Sequence, residues 1–272
     1  MNKLNGVKYS GAGNTIILTL ETDTAKLSKT KLAHQLCDPN SGPGADGVLY
    51  LKKDKTGEVD YVWDFYNADG SSAEMCGNAA RCAGQYCYEE LKFVKKKIIF
   101  KTRSGIISCE KNEDNQFVVE MPSAKIIENE MQLSTATSAE KFMYVDVGVP
   151  HLVIEKNEAF LSKANEAQTL AWAKAFREHP RLAPAGANVT IVQSRNNKKK
   201  AVTFERGVEN FTLSCGTGAV AAALYFEKKT PEGLHEIHMP GGKLIVDFSN
   251  AEKPLLKGPS EKIKEFIYEG DF

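Results

Sequence analysis

No stretch of the 272-residue chain approaches the roughly 18 consecutive apolar residues that a membrane span needs. The N-terminal Met-Asn-Lys-Leu-Asn-Gly also lacks the apolar core of a secretory leader. A cytoplasmic protein with no membrane partner is the expectation. Excess charge is missing too: 35 Lys and Arg balance 35 Asp and Glu. That balance offers no basic face, so a nucleic-acid partner is not expected. The short runs Lys95-Lys96-Lys97 and Lys198-Lys199-Lys200 stand beside turn signals and read as solvated loop or strand-end charge. Neither Cys-x-x-Cys nor His-x3–5-His occurs among the six cysteines and five histidines, which argues against a structural zinc site. No pattern points to a pyridoxal lysine, and no cofactor or metal is expected.

What is present is a polar, turn-rich run that delivers a cysteine to a helix start: Asn67-Ala-Asp-Gly-Ser-Ser-Ala-Glu-Met-Cys76-Gly77-Asn78-Ala-Ala-Arg81-Cys82. The small, apolar residues that follow suit a buried helix. A cysteine at such a start meets backbone N–H groups that have no partner within the helix, and a dipole that favours negative charge. The thiol is biased toward thiolate, and the same amides can hold an anion. The pattern returns about 140 residues later, where Glu205-Arg206-Gly-Val-Glu-Asn-Phe-Thr-Leu-Ser-Cys215-Gly216-Thr217-Gly218 runs into Ala-Val-Ala-Ala-Ala-Leu. On an ideal helix Cys82 points about 120° away from Cys76, and Cys87 lies about 16 Å along the axis. Those two read as small core residues.

Periodicity and turn signals predict a strand over Thr15–Leu20, a helix from an N-cap at Ser28 to Leu36, and strands over Val48–Leu51 and Val59–Tyr66. The Cys76 helix is expected to end near Leu91. Strands follow at Lys97–Thr102, Gly105–Ser108 and Phe117–Met121. The second half restarts with a strand over Phe142–Val147, a turn through Gly148-Val149-Pro150-His151, and a strand over Leu152–Ile154. A helix over Ala164–Arg177, strands at Val189–Val192 and Ala201–Phe204, and the Cys215 helix stopped by Pro231 come next. Strands at Glu236–Met239 and Lys243–Phe248, with a tail strand over Ile263–Tyr268, complete the reading. Four landmarks repeat in order: Gly13-Asn14 with Pro150-His151, Gly44-Ala45-Asp46 with Gly186-Ala187-Asn188, Asn67 near Glu205-Arg206, and Cys76-Gly77 with Cys215-Gly216. A repeat this long is a duplicated domain rather than a solenoid unit. The halves are expected at 1–122 and 123–263, with a strand over 264–272 returning to the first.

Two related domains could set two cysteine-bearing helix N-termini on either side of one substrate. A carboxylate would take N–H bonds from Gly77-Asn78 and Gly216-Thr217. One sulfur as thiolate would remove an α-proton while the other, as thiol, returns a proton to the opposite face. The α-proton of an amino acid is far less acidic than a thiol near 8.5, so amides aimed at the developing enolate charge must supply most of the stabilisation.

Asn67-Ala-Asp-Gly-Ser, Glu74-Met-Cys76-Gly-Asn78, Gly44-Ala-Asp-Gly47, Glu205-Arg206-Gly and Cys215-Gly-Thr-Gly-Ala resemble the signatures of diaminopimelate epimerases. Pro150-His151 and Gly186-Ala-Asn188 are similar to two weaker motifs of that family, so the resemblance spans nearly the whole chain. It implies an α+β fold of two pseudo-symmetric domains, each a mixed β-sheet or barrel wrapped around a central helix. It also implies a cofactor-independent interconversion of LL- and meso-diaminopimelate, a step toward lysine and cell-wall precursors. By the resemblance Cys76 and Cys215 are the acid/base pair, and Gly77, Asn78, Gly216 and Thr217 hold the reacting carboxylate. Asn14, Gly47, Asn67, Asn188 and Arg206 bind substrate, with Arg206 suited to a bidentate grip on the distal carboxylate. His151 and Glu205 tune the cysteines or meet the reacting ammonium. The partner is then a small amino acid, and a homodimer is compatible with the resemblance.

Three departures bear on the substrate. Val149 stands where the family usually has an Asn that helps bind the distal end, Thr15-Ile16 follow Gly13-Asn14 where Asp-Phe is familiar, and Ala79 replaces a common Gly. Proline racemases resemble the pattern less well, because they carry His after Cys-Gly, where this chain has Asn78, and lack the Glu-Arg pair. Three other readings stay open: a related racemase for another amino acid such as histidine, a thiol redox protein joining Cys76 to Cys215, and a module that binds an amino acid without turning it over.

Overall fold

A computed structural model of the chain describes residues 2–21, 28–73, 75–114, 116–250 and 252–270. Glu74, quoted above with Met75 and Cys76, lies outside the described residues, as do positions 271 and 272 of the returning tail. The elements run β1 (Asn2–Gly11), β2 (Asn14–Leu20), α1 (Lys29–Cys37), β3 (Gly47–Lys53), β4 (Tyr61–Asn67), β5 (Ser72–Ala73), α2 (Gly77–Glu89), β6 (Lys97–Thr102), β7 (Gly105–Lys111) and β8 (Phe117–Glu120). Then come β9 (Lys125–Ser134), β10 (Ala139–Asp146), β11 (Pro150–Glu155), α3 (Glu166–Arg177), β12 (Asn188–Arg195), β13 (Lys198–Glu205), β14 (Asn210–Thr212) and α4 (Gly216–Lys229). The chain closes with β15 (Leu234–Met239), β16 (Gly242–Asp247), β17 (Leu255–Gly258) and β18 (Glu261–Gly270). It divides into two compact units, Met1–Glu120 with Lys257–Phe272, and Met121–Leu256.

In the first unit the strands pair in the order β18-β1-β2-β3-β4-β6-β7-β8, with the short β5 also on β4. In the second the order is β9-β10-β11-β12-β13-β15-β16, with β14 also on β13. Among the described residues, parallel pairings join β2 with β3 and β4 with β6 in the first unit, and β11 with β12 and β13 with β15 in the second. Parallel neighbours cannot be joined by a tight turn and need a crossover. The four helices fill the four crossovers. The second crossover of each unit is the cysteine helix, so its N-terminus is set by the end of β4 or β13.

Within its unit α2 packs against β1, β2, β7 and β8, and α4 packs against β10, β11, β12, β13, β15 and β16. A helix covered on so many sides must be small and apolar all round. Ala79, Ala80, Cys82, Ala83 and Cys87 on α2, and Ala219, Val220, Ala221, Ala222 and Ala223 on α4, are fully buried. Gly84 shows how close the approach is: a Cβ there would lie 2.5 Å from Cys109 Sγ and 2.9 Å from the Phe117 ring. Around α3 the second unit packs Phe142, Trp172 and Phe176 with Leu152, Val189 and Ile191 into one cluster. Ring centroids of 4.9 Å for Phe142–Phe176 and 5.1 Å for Trp172–Phe176 give it aromatic contacts of favourable spacing.

Several features differ from the sequence reading, among them the short β5 and β14. Residues 2–11, assigned no strand above their turn, form β1. Lys125–Ser134, just past the expected division at 122/123 and assigned no strand there, form the ten-residue β9. Leu255–Gly258 form β17. His151 was read in a turn, but it is the second residue of β11 and fully buried, because β11 starts at Pro150 and pairs with β12 from that end. The first repeat landmark is also displaced by one. His151 lies opposite Asn188 across the β11–β12 pair, whereas Ile16 lies opposite Gly47 across β2–β3. Asp46, matched to Asn188, therefore stands opposite Thr15, whose carbonyl accepts its N–H at 2.9 Å. Thr15 rather than Asn14 holds the place of His151.

Candidate active site: two cysteine-capped helices

Each cysteine of interest is an N-cap residue. Cys76 has extended backbone angles (φ −142°, ψ 114°), and its sulfur accepts the Ala79 N–H at 3.4 Å. Cys215 does the same (φ −128°, ψ 115°), with the Gly218 N–H at 3.3 Å. A sulfur in the N-cap role is held beside the positive end of the helix dipole, which favours the thiolate. Cys76 is half-buried, and Cys215 is buried.

The first half-site is assembled by the starts of β2 and β3 and the first turn of α2. Asn14 opens β2, with its Oδ1 4.0 Å from Cys76 Sγ and its Nδ2 donating to Asp46 Oδ2 at 3.3 Å. The same Asp46 oxygen accepts the Thr15 N–H at 2.7 Å and the Thr15 hydroxyl at 2.9 Å, so Asp46 orients Asn14. Gly77 is the first helical residue, and Asn78 behind it is buried. Both are engaged by the fully buried Arg81, which donates to Gly77 O at 3.3 Å and to Asn78 Oδ1 at 2.7 Å. Gly47 opens β3 where a Cβ would lie 2.5 Å from the Phe65 ring and 2.9 Å from Tyr66 O, so close packing alone requires glycine. Asn67 ends β4, and its Nδ2 donates to Ser71 Oγ at 3.0 Å within the turn to β5.

The second half-site is a buried polar chain. Cys215 Sγ is 3.4 Å from Thr217 Oγ1, which is 3.0 Å from His151 Nε2. His151 Nδ1 is 2.8 Å from Thr190 Oγ1, and Thr190 Oγ1 is 3.1 Å from Thr203 Oγ1. Asn188 Nδ2 approaches His151 Nε2 at 3.2 Å, while Asn188 Oδ1 accepts the Arg206 N–H at 2.8 Å. That second bond decides which end of the amide is oxygen, and an amide nitrogen can only donate. Nε2 is therefore the acceptor, and the proton is on Nδ1, donated to Thr190. Burial, with the Arg206 charge second, pushes His151 down to about 3, so the imidazole is neutral at ordinary pH. Its single Nε2 lone pair serves two donors, Asn188 and Thr217. When Asn188 takes it, the Thr217 hydroxyl can turn its hydrogen to the Cys215 sulfur. Glu205 accepts the Thr212 hydroxyl from β14, and the Arg206 guanidinium donates to Ala185 O at 3.4 Å. Gly216 opens α4, and Gly218 admits Thr203, whose Oγ1 would lie 2.1 Å from an added Cβ.

Each half-site thus offers a thiol fit for proton transfer and a helix N-terminus fit for a carboxylate. A family model described as diaminopimelate epimerase matches residues 6–127 and 143–263. A diaminopimelate epimerase of Hydrogenobaculum sp. (strain Y04AAS1) is 32% identical over 269 residues, 95% of this chain and 96% of that protein. One from Aquifex aeolicus (strain VF5) is 33% identical over 273 residues, 95% of each chain. The chain belongs to the diaminopimelate epimerase family. Its fold is shared more widely. A hydroxyproline epimerase from Agrobacterium vitis superposes with a TM-score of 0.76 at 14% identity, covering 97% of this chain and 92% of that one. A probable proline racemase from Agrobacterium radiobacter K84 reaches 0.73 at 15% identity, covering 98% and 93%.

Among the described residues no helix is long and apolar enough to cross a membrane. Four residues that hold these family landmarks in place have no role in the sequence reading: Asp46, Arg81, Thr190 and Thr203. Strand alternation could have found Thr190, because it shares a face with Asn188 in the otherwise apolar Val189–Val192 run. Arg81 was visible as a charge in an Ala/Cys/Gly helix, three and four residues after Asn78 and Gly77, where side chains on one helix face meet.

Proposed function

We propose that the protein interconverts LL- and meso-diaminopimelate by a two-base mechanism without a cofactor, supplying lysine and cell-wall precursors. The observation that carries this reading is the duplicated N-cap cysteine, at equivalent places in two topologically repeated units. In the proposed step one thiolate takes the α-proton, breaking the C–H bond and leaving its electron pair on the α-carbon and carboxylate. The other thiol delivers a proton to the opposite face. Nothing is oxidised or reduced, and the pair emerges with thiol and thiolate exchanged. The N–H groups of Gly77-Asn78 and Gly216-Thr217 stabilise the enolate-like charge, where preorganised donors act most strongly. His151, Thr217 and Glu205 are assigned to tuning Cys215 and meeting the reacting ammonium. Asn14, Asn67, Asn188 and Arg206 are assigned to the rest of the substrate. The exposed Ile263 and Ile267 of β18 favour a homodimer, which sedimentation would test.

The test is incubation of LL-diaminopimelate with the protein in D2O. Formation of the meso isomer carrying deuterium at the inverted α-carbon is expected, and Cys76→Ala or Cys215→Ala is expected to abolish it. Inversion persisting in either folded variant above a few per cent of wild type would rule out the two-base mechanism.

Substrate choice turns on two residues. Val149, in the turn before β11, removes one donor, a loss of about 1 kcal/mol. An unpaired substrate carboxylate would cost far more, so the cation of Arg206 outweighs the valine, and a second carboxylate is favoured. Arg206→Met is then expected to lower kcat/KM for diaminopimelate by two orders of magnitude or more, the order of a lost charged hydrogen bond of about 3 kcal/mol. Faster turnover of a monocarboxylic amino acid by the native protein would assign it to the related racemases instead.

A further inference from the structure

Arg81 is a fully buried cation on α2, and among the described residues no carboxylate forms an ion pair with it. Its hydrogen bonds go to neutral oxygens: Gly77 O at 3.3 Å, Asn78 Oδ1 at 2.7 Å and Pro259 O at 3.3 Å. A buried guanidinium without an anion is costly, and such charges are ordinarily paired. Burial draws its pKa down, yet an arginine that starts above about 12 stays charged. The ionisable groups that feel it are Cys76 and Cys82 on its own helix and Cys109 on β7. Burial pushes Cys82 and Cys109 up to about 12, so both remain thiols. Of these three, Cys76 is the half-buried one, and it caps the turn that Arg81 grips. The strands packed against α2 carry Lys3 and Lys8 on β1, Glu110 and Lys111 on β7 and Glu120 on β8, and Tyr9 of β1 meets Glu89 and Glu90 at the far end of the helix. Asp46, which reaches the cysteine end through Asn14, accepts from Thr15 and Asn14.

The second unit is built differently. Matching Cys215 to Cys76 puts the buried Val220 where Arg81 stands. Thr217 links Cys215 to the neutral His151 of β11, and Glu205, the last residue of β13, is followed by Arg206. Arg206 is partly exposed and adjacent to Glu205, so solvent and that carboxylate screen it. His235, Glu227 and Lys199 cluster with one another near the other end of α4. We propose that Arg81 is the resident cation of the first half-site, making Cys76 the thiolate and Cys215 the thiol of the resting pair. This rests on the two-base reading above. It makes Arg81 a positioning residue that acts through Asn78 and Cys76 without touching substrate.

The test is alkylation of the intact wild-type protein with iodoacetamide from about pH 6 to about pH 10, following the Cys76 and Cys215 peptides separately by mass spectrometry. The midpoint of each profile reports ionisation irrespective of how accessible each sulfur is. Cys76 is expected to show the lower midpoint. Arg81→Met is expected to raise it by about one unit or more while Cys215 stays put, and Arg81→Lys to restore part of the shift. A lower midpoint at Cys215 in the wild type overturns the proposal, and that comparison needs no variant to fold. So does an unmoved Cys76 midpoint in a folded Arg81→Met protein. No turnover enters the measurement, so a failure here is distinct from a failure to epimerise.

Discussion

Replacing Thr190 by valine tests the chain of hydrogen bonds behind Cys215. Valine keeps the branched shape but removes the oxygen that accepts the His151 Nδ1–H at 2.8 Å and meets Thr203 at 3.1 Å. Thr190 and His151 are both fully buried, so no solvent replaces the lost acceptor. An orphaned donor of this kind costs about 1–3 kcal/mol of stability. The imidazole can escape that cost only by moving its proton to Nε2, which then faces the Asn188 amide N–H, donor against donor, at 3.2 Å. Either outcome disturbs the acceptor available to Thr217 and hence the hydroxyl 3.4 Å from Cys215. A barrier change of about 1.4 kcal/mol, within that range, lowers turnover about tenfold. Urea unfolding gives the stability change, and nitrogen NMR of labelled histidine reads the tautomer directly. Wild type is expected to show a protonated Nδ1 and a bare Nε2. Thr190→Val is expected to lose about 1–3 kcal/mol with an altered imidazole signature, and Thr190→Ser to recover both. A valine variant within about 0.5 kcal/mol of wild type and unchanged in tautomer would refute the assignment.

The same histidine predicts an acid weakness. His151 falls from 6.5 to about 3 in the folded protein, so below 6.5 the unfolded chain binds a proton that the native state refuses. Its contribution is intact above pH 6.5 and is lost as the pH falls toward 3, at up to about 1.4 kcal/mol per unit. Denaturation midpoints at about pH 7 and about pH 5, a window above the range of depressed carboxylates such as Asp54, are expected to differ in wild type and to converge in His151→Gln; an equal fall in that variant would assign the weakness elsewhere. Gly218→Ala is expected to cost about 1–3 kcal/mol by overpacking, because its Cβ would meet Thr203 Oγ1 at 2.1 Å and Cys215 Cβ at 3.1 Å. Adding Thr203→Ala is expected to return part of that stability, and a double variant no more stable than Gly218→Ala alone would show that the clash lies elsewhere.

What could be read from sequence was what is encoded locally. A cysteine N-cap needs only its own turn and the three residues after it, so Cys76 and Cys215 were legible, as was the Ser28 cap of α1, whose oxygen accepts the Lys31 N–H. Small-residue helices announced their own burial. Strands whose partners lie far along the chain were harder. β1 pairs with β18 across most of the sequence, and β9, with Met131 and Leu133 facing the core but Lys125, Ile127 and Glu130 exposed, shows alternation over only part of its length. Residues serving as supports were harder still. Thr190 and Thr203 meet only because β12 and β13 pair in one register, Thr190 opposite Thr203, and no local pattern announces a register.

The one-residue displacement between Asn14 and His151 has a physical consequence that sequence matching hid. Both units build the same crossover, β2-α1-β3 and β11-α3-β12, and both set a polar residue from its first strand opposite one at the entry to its second. In the first unit that pair is Thr15 with Asp46, a hydroxyl and a carboxylate; in the second it is His151 with Asn188, a neutral imidazole and an amide. The helix that follows differs in step, carrying the buried Arg81 in one unit and Val220 in the other. A repeated topology thus sets Asp46 and Arg81 behind one cysteine, and behind the other a neutral hydrogen-bond chain flanked by Glu205 and Arg206. Stereoinversion needs such inequality in any single turnover, since one sulfur must hold a proton while the other lacks it. An unequal pair favours one of the two resting protonation states, and each 1.4 kcal/mol of that preference sets their ratio tenfold from unity.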